Sequence, residues 1–369
     1  MSVRWWLVLA AAVVAVAAAT AYAGPVRESR AANPSQEPRA VLIDADEYGA
    51  IVIDGRERAA FGVNRDGSVA WRSDLQPTSP VPVSCLERCP DAVLSGSAAS
   101  INSDDVADPD PVAIIDGRRR DLARPAGGGS QAAAVKRQVL AARTADDYLL
   151  ATVDGAGRAQ LVEYRSGALH RVPVGGTRTT WATDASSRHA LAVTTIAAGR
   201  GQARWFDRTA DGWRPAGPAI PVAGSGSCVA PGGRQAILLG QRPQLIDRHG
   251  GLVPLSGLNT AGTCAFAATG GIVGELLARP EGPRSRLRAF DSAGATTWAV
   301  DVAEAARVTA DPARSRVAFV AGGKLRELDP RTGAELRTIP GTRAARYVGG
   351  SLVVVTTAAA PVPALAWLD

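Results

Sequence analysis

Short apolar segments separated by polar turns run along most of the 369-residue chain. One pattern recurs: two apolar or aromatic residues, an aspartate, a turn with glycine, and another apolar stretch. Segments of about four to eight residues between Gly, Pro, Asp and Ser turns are typical of β-strands. Outside the N-terminus, helical periodicity is marginal and confined to residues 131–142. The pattern therefore predicts an all-β fold. The clearest copies end at Asp207, Asp247, Asp291, Asp329 and Asp369.

The spacing of the copies predicts the architecture. The five aspartates are 40, 44, 38 and 40 residues apart, and looser copies lie around residues 61–64, 114–116 and 161–164. This spacing matches the period of about 40–45 residues of propeller blades, each built from four strands. Eight copies favour a single β-propeller of eight blades over residues 40–369. A ring of seven blades stays open if the two ends merge.

The two ends of the repeat region predict how the ring closes. The last copy stops after its third strand, and residues 40–43 form a spare apolar strand near the start. Pairing the two would hide an edge that otherwise invites aggregation. We therefore expect an N-terminal strand, residues 40–43, to complete the last blade. The first blade would then keep three strands, at residues 50–53, 59–63 and 68–71.

The N-terminus indicates the compartment. Arg4 precedes an uncharged, hydrophobic run, residues 5–23, which is predicted to be helical and closes with Ala-Tyr-Ala. Small residues at this spacing are typical of a signal peptide cleavage site, whereas a run of this length also suits a retained signal anchor. Either interpretation predicts an extracytoplasmic chain, secreted or anchored to the membrane by residues 5–23. Residues 24–39, with three prolines, are predicted to be a linker.

The glycine turns resemble those of a known repeat. Residues 291–298 read Asp-Ser-Ala-Gly-Ala-Thr-Thr-Trp, and residues 64–71 read Asn-Arg-Asp-Gly-Ser-Val-Ala-Trp. This order resembles the pyrroloquinoline-quinone-type propeller repeat, and the turn at residues 231–234 is similar to that of WD-repeat propellers. The resemblance covers about residues 40–369. It implies a quinoprotein-dehydrogenase-like propeller superfamily and, as an alternative function, a quinone-dependent oxidoreductase; it does not by itself imply an activity.

Four cysteines in an exported chain predict disulfides. Three pairings are formally possible. Aligning the repeats puts Cys85, Cys228 and Cys264 on the same inner strand, with the last two one repeat apart, while Cys89 is four residues past Cys85. The repeat therefore favours Cys85–Cys89 and Cys228–Cys264. The three histidines are isolated in the sequence, so no metal site is expected.

Charge and motifs point to no particular chemistry. The net charge is +6 and only two of the 41 basic residues are lysines, but the arginines are scattered among acids. A nucleic-acid-binding protein would present a clustered basic face. The chain has no H-E-x-x-H, G-x-S-x-G or P-loop motif. We expect no catalytic residues and no cofactor, and we interpret the tryptophans on the strands as core residues.

Loop lengths suggest which face of the ring binds. The first and third turns of a repeat are short, whereas the second turns carry insertions, which a rigid scaffold can use for binding. The acidic insertion at residues 102–110 equally suits a cation site or a solvated loop. We expect a non-catalytic binding scaffold for a protein, a small molecule or a glycan, with the membrane contacted only through the N-terminal segment. The candidate binding residues are Asp104, Asp105, Asp108, Arg279, Arg284 and Arg286.

Overall fold

The structure is a computed structural model. It describes residues 40–55, 57–97, 110–122, 134–154, 159–172, 174, 178–184, 188–197, 200–240, 242–258, 261–277, 284–302, 307–311, 313–356 and 364–368. Strands dominate these residues, with a single 3-10 turn, Pro231–Gly233, and no α-helix among them. The all-β prediction is confirmed. The predicted N-terminal helix and linker lie outside the described residues.

The strands follow one another in eight antiparallel units, which we number along the chain. Unit 1 contains β1 (Ala40–Ala45), β2 (Gly49–Asp54), β3 (Ala59–Asn64) and β4 (Val69–Asp74). Unit 2 contains β5 (Pro80–Cys85), β6 (Ala92–Ser97), β7 (Val112–Ile115) and β8 (Arg118–Asp121). Unit 3 contains β9 (Ala134–Thr144), β10 (Asp147–Asp154), β11 (Ala159–Arg165) and β12 (Ala168–Val172).

The middle of the chain continues the same order. Unit 4 contains β13 (Arg178–Thr183), β14 (His189–Ala197), β15 (Arg200–Thr209) and β16 (Gly212–Pro215), with β17 (Ile220–Val222) also paired to β15. Unit 5 contains β18 (Gly224–Val229), β19 (Gln235–Gly240), β20 (Gln244–Asp247) and β21 (Leu252–Pro254).

The last three units follow. Unit 6 contains β22 (Ala261–Ala267), β23 (Gly270–Leu277), β24 (Arg284–Phe290) and β25 (Thr296–Val302). Unit 7 contains β26 (Arg307–Asp311), β27 (Arg316–Ala321), β28 (Lys324–Leu328) and β29 (Glu335–Pro340). Unit 8 contains β30 (Thr342–Val348), β31 (Ser351–Thr356) and β32 (Ala364–Leu368). A single bridge, Gly240 to Ala261, joins the sheets of units 5 and 6.

The apolar core lies between the units. Eight clusters of buried side chains each join two successive units, and one of them joins unit 8 to unit 1 through Leu42, Val52, Val353 and Val355. The first strand of each unit also approaches the first strand of the next, and β30 approaches β1. Each sheet buries both faces against neighbours, which explains why second strands such as β2 are fully buried. The outermost strands, such as β8, are exposed.

Tryptophans connect neighbouring units in a repeated way. The indole N–H of Trp205 donates a hydrogen bond to the carbonyl oxygen of Asp247, in the next unit, at 2.8 Å. Trp298 donates to Pro330 in the next unit, also at 2.8 Å. Gly333 has a φ of +72°, and a Cβ there would lie 2.9 Å from the Trp298 ring, so the turn accommodates the ring only with glycine. Burial of these tryptophans confirms their interpretation as core residues.

The predicted pairing of the N-terminal strand is wrong. Residues 40–43 lie in β1, which pairs with β2 and not with unit 8, so unit 1 has four strands. In this position Val41 packs against unit 2 while Leu42 packs against unit 8, because successive side chains point to opposite faces. The marginal helical stretch 131–142 overlaps strand β9. Val139 and Ala142 pack between units 2 and 3, whereas Leu140 and Ala141 pack between units 3 and 4.

Candidate functional site

The strand order divides the turns between two faces of the molecule. In an antiparallel unit, the turns after the first and third strands lie at one end, and the turn after the second strand lies at the other. The first group forms the short-turn face, with turns such as 46–48 and 145–146. The second group forms the insertion face, which includes the connections 98–111 and 278–283. In the sequence, these two connections contain four of the six predicted candidate binding residues.

The structure describes two of the six candidate residues, Arg284 and Arg286. Asp104, Asp105, Asp108 and Arg279 lie outside the described residues. The backbone of Arg284 begins β24, in register with the last residue of β23. The structure therefore fixes where the sixth-unit insertion enters and leaves the sheet, and it leaves the assignment of the acidic insertion as a prediction.

Arg286 is the candidate whose side chain is described. Its guanidinium forms a fork with the carboxylate of Asp301 on β25, with Nη2 and Oδ2 at 3.2 Å. The hydrogen bond to Asp301 raises the pKa of Arg286 above its usual value. Both side chains are solvated, so the pair contributes little to stability. It places adjacent positive and negative charge on the surface at this end of unit 6.

Both disulfides join cysteines near the inner side of the units. Cys85 is bonded to Cys89 in the turn after β5, with Cα atoms 5.1 Å apart. Cys228 on β18 is bonded to Cys264 on β22, with Cα atoms 6.0 Å apart. These are the pairings that the repeat favours. The second bridge ties the first strands of two successive units together.

The junction of units 8, 1 and 2 is held by two aspartates. Asp44 accepts a hydrogen bond from the backbone N–H of Cys85 at 3.0 Å and pairs with Arg346 of unit 8 at 2.8 Å. Asp46 accepts the backbone N–H of Cys89 at 2.7 Å, and Trp367 of unit 8 donates its indole N–H to the Asp46 carbonyl. Side-chain contacts therefore link three units at this junction.

The short-turn face carries a cluster of charged side chains between units 4 and 5. The Nδ1 atom of His189 lies 2.8 Å from Oδ1 of Asp207, and Nη1 of Arg248 lies 3.1 Å from the same Nδ1. Arg248 also donates two short hydrogen bonds to Asp207. Partial burial by itself would raise the pKa of Asp207, but the hydrogen bonds from His189 and Arg248 hold it below its usual value. The Asp207 carboxylate is therefore charged and hydrogen-bonded to both neighbours.

A sequence signal for this cluster existed. Asp-Arg occurs at residues 207–208 and again at 247–248, at equivalent positions of successive repeats. Each arginine reaches back to the preceding unit, since Arg208 donates to both carboxylate oxygens of Asp147 in unit 3. The repeated dipeptide thus marks an arginine–aspartate ion pair between successive units. Its recurrence favours a structural role for the cluster.

Unit 7 contains a buried glutamate, Glu327, that no sequence motif indicates. Glu327 accepts hydrogen bonds from the Tyr347 hydroxyl at 2.7 Å, Arg316 Nη1 at 3.0 Å and Arg337 Nε at 2.8 Å. Burial opposes ionisation, but the Tyr347 hydroxyl and the two arginines lower the pKa of Glu327 below its usual value. Burial and the bond to Glu327 raise the pKa of Tyr347. The network ties units 7 and 8 together.

A second buried glutamate has fewer partners. Glu163 on β11 accepts the backbone N–H of Trp213 at 3.1 Å through Oε2. Its Oε1 atom has no hydrogen-bond partner within the described structure. Gly212 lies against the carboxylate, so that a Cβ there would collide with it. The glutamate therefore depends on the close approach of the turn after β15.

Within the described ranges, no group of three or more His, Cys, Asp or Glu side chains is arranged to hold a metal ion. Nor does the described part of the chain include a helix long and apolar enough to cross a membrane.

Comparison with known proteins gives the fold. No protein-family model matches the chain, and no curated protein matches it in sequence. Among solved structures, it is similar over 94% of its length to 57% of a prolyl endopeptidase chain, with a TM-score of 0.54 and 8% identity. It is also similar to BamB from Moraxella catarrhalis, with a TM-score of 0.49 and 14% identity, covering 90% of this chain and 97% of that one.

A third likeness is to the β-propeller domain of the Trilobed protease from Pyrococcus furiosus. The TM-score is 0.41 at 9% identity, and the match covers 60% of this chain and 77% of that domain. The chain has a propeller-like all-β fold. At such low identity the likeness to these propellers extends to the fold alone. The resemblance to the quinone-type repeat accordingly stays a prediction.

Proposed function

We propose that the chain is an extracytoplasmic, non-catalytic β-propeller of eight blades that binds a partner or ligand on its insertion face. The eight units support the blade number, since each repeat supplies one unit and each unit packs on the next. The cluster between units 8 and 1 supports closure of the ring. A closed ring gives its loops a rigid base.

The difference between the two faces carries the binding proposal. Connections on the short-turn face are brief, such as 145–146 and 349–350, whereas the insertion face has 98–111, 278–283 and 357–363. Residues that bind ligands are concentrated on loops presented by a rigid scaffold. The acidic insertion belongs to unit 2 and the arginine-bearing one to unit 6, on opposite sides of an eight-membered ring. A partner that spans the face would therefore meet charges of both signs.

Location outside the cytoplasm is supported by two independent features. The first is the signal-like sequence of residues 1–23, whether cleaved or retained as an anchor. The second is the pair of disulfides, Cys85–Cys89 and Cys228–Cys264, because such bonds persist in oxidising compartments. Fractionation of expressing cells tests the location. Recovery of the reduced chain in the cytoplasm would contradict it.

A comparison of alanine variants on the two faces tests the binding proposal. The tagged chain is used to capture partners from the exported fraction, and the captured partner is then titrated against variants of each face. We expect the triple variant D104A/D105A/D108A to weaken binding by about tenfold or more, as loss of a few contact residues does. The matched short-turn variant is D211A/R214A/R234A. If only this variant weakened binding, the partner would bind the short-turn face, and the proposal would be wrong.

The alternative, a quinone-dependent oxidoreductase, rests on the repeat resemblance. It makes a separate prediction. The chain is incubated with pyrroloquinoline quinone and calcium, and its absorbance and its reduction of an electron-accepting dye are followed. Calcium-dependent dye reduction with an alcohol or sugar substrate would favour the enzyme, whereas dye reduction equal to the protein-free control would favour the binding scaffold.

A further inference from the structure

Two turns of the short-turn face meet around an exposed aromatic side chain. Tyr48, in the turn between β1 and β2, is 45% exposed, and it is the one exposed Tyr, Trp or Phe among the residues that the structure describes. The guanidinium of Arg88, in the turn after β5, lies over the Tyr48 ring, with Cζ 4.6 Å from the ring centroid. Tyrosine and arginine, together with tryptophan, are enriched among the residues that dominate affinity at protein interfaces. The pair is therefore a candidate centre for an interaction surface.

Hydrogen bonds and a disulfide fix the positions of both turns. The carboxylate of Asp46 accepts the backbone N–H of Tyr48 at 2.8 Å through Oδ1 and the backbone N–H of Cys89 at 2.7 Å through Oδ2. The disulfide between Cys85 and Cys89 closes the turn that carries Arg88. Groups that are already positioned lose less conformational entropy when a partner binds. The backbone that presents Tyr48 and Arg88 is thus preorganised.

Two more arginines extend the surface beyond this pair. The backbone N–H of Arg65 donates to the Tyr48 carbonyl oxygen at 2.8 Å, and the backbone N–H of Glu87 donates to the Arg143 carbonyl oxygen at 3.0 Å. We name the surface formed by Tyr48, Arg65, Arg88 and Arg143 the Tyr48 patch. Its three arginines are exposed, and none of them forms an ion pair with a carboxylate within the described part of the chain. The Tyr48 patch spans units 1 to 3.

The chemistry of these arginines favours a carboxylate as their ligand. A guanidinium that packs on an aromatic ring keeps N–H donors at its edge, and two of these match the two oxygens of a carboxylate. The same face uses this chemistry internally, since Arg208 and Arg248 each donate to both oxygens of an aspartate in the preceding unit. In the Tyr48 patch, a carboxylate supplied by a partner would complete the equivalent contact.

Acidic side chains beside the Tyr48 patch favour a protein over a uniformly charged surface as the partner. Glu47 and Glu87 are exposed and directly precede Tyr48 and Arg88. These carboxylates would repel a membrane or polymer of uniform negative charge, whereas a peptide can place single carboxylates beside the arginines and an apolar side chain on the Tyr48 ring. We propose that the Tyr48 patch binds an acidic segment of a partner protein. It is then a second interaction surface, on the face opposite the insertions.

Selection from a displayed library of random short peptides tests the proposal, with the exported full chain as the target. Enriched peptides are synthesised and titrated against the unmodified chain and its variants by fluorescence anisotropy. We expect these peptides to carry Asp or Glu next to a large apolar residue. R88A and Y48A should each weaken their binding by about tenfold or more, as loss of a central contact residue does. R88K should weaken it nearly as much, because lysine keeps the charge without the paired donors.

The matched control is R234A, which removes an exposed arginine from the same face in unit 5. Because it lies four units away from unit 1 and salt screens distant charges, affinity should change by no more than about twofold. Tyr48 and Arg88 are exposed, so neither substitution removes core packing. Binding at the insertion face is measured with separate variants, so the failure of either proposal is distinguishable from the failure of the other.

Three results would overturn the proposal. Enrichment of no peptide, or of peptides without Asp and Glu, would show that the Tyr48 patch does not recognise carboxylates. Equal affinity for the unmodified chain and for R88A would place the enriched peptides at another site. Vesicles of phosphatidylglycerol and phosphatidylcholine provide the third result: if they bind the unmodified chain and not R88A, the ligand of the Tyr48 patch is a phosphate-bearing surface rather than a protein.

Discussion

Replacing Glu327 with glutamine is expected to lower the free energy of unfolding by about 2 kcal/mol. The side chain is 1% exposed and serves three donors, so glutamine must turn its NH₂ group towards at least one of them. Removing one partner of a fully buried ion pair costs about 3–5 kcal/mol. Arg316 and Arg337 are 45% and 36% exposed, however, and water can solvate them after the change. The expected loss therefore lies below that range.

Urea denaturation at neutral pH, followed by tryptophan fluorescence, measures the loss. The matched control is Glu335→Gln in the same unit, because Glu335 is 47% exposed and lies 3.6 Å from Arg326. A solvated pair of this kind contributes at most about 1 kcal/mol, so the control should unfold almost as the parent does. Equal losses for the two variants would refute the assignment of Glu327 as a buried anchor between units 7 and 8.

The dependence of the free energy of unfolding on pH in the acid range gives a second test of Glu327. Its folded pKa is lowered, so between the folded and unfolded pKa values the unfolded chain binds more protons and stability rises with pH. The contribution is present above the ordinary value of 4.5 and is lost as the pH falls through the folded pKa. E327Q should therefore make stability less dependent on pH below about 4.5. An unchanged acid limb would contradict this reasoning.

Three further perturbations probe the ring. The unmodified chain should contain no free thiols, and four free thiols found by mass mapping would contradict this pairing. The variant C228S/C264S opens a loop of 36 residues, and its free energy of unfolding, measured by urea denaturation, should fall by about 3–4 kcal/mol. Trp205→Phe should lower the free energy of unfolding by about 2 kcal/mol, because the variant loses a hydrogen bond and has a smaller ring. A loss below about 0.5 kcal/mol would contradict the role of Trp205 in linking units 4 and 5. Asp44→Ala should lower the melting temperature more than Arg346→Ala, because Asp44 also accepts a backbone N–H of unit 2; the reverse order would show that the ion pair dominates.

The repeat was readable from sequence because its signals are local. A glycine turn after an apolar pair and aspartate specifies the chain reversal whatever surrounds it, as at Asp291 and Asp329, where the aspartate caps its own turn. The period then placed Cys228 and Cys264 on neighbouring first strands. The period also distinguished short turns from longer insertions. This difference in length is the part of the candidate site that could be predicted from the sequence.

The partner of β1 and the Glu327 network were decided by tertiary structure. An apolar strand at residues 40–43 satisfies its backbone equally well beside β2 or beside the last unit. The choice follows from Val41 and Leu42, which must bury against units 2 and 8 at once. Likewise, Glu327 and Tyr347 are unremarkable in sequence and meet only because units 7 and 8 pack together. Turn chemistry acts over a few residues, whereas strand partners and buried charges depend on contacts between residues far apart in the chain.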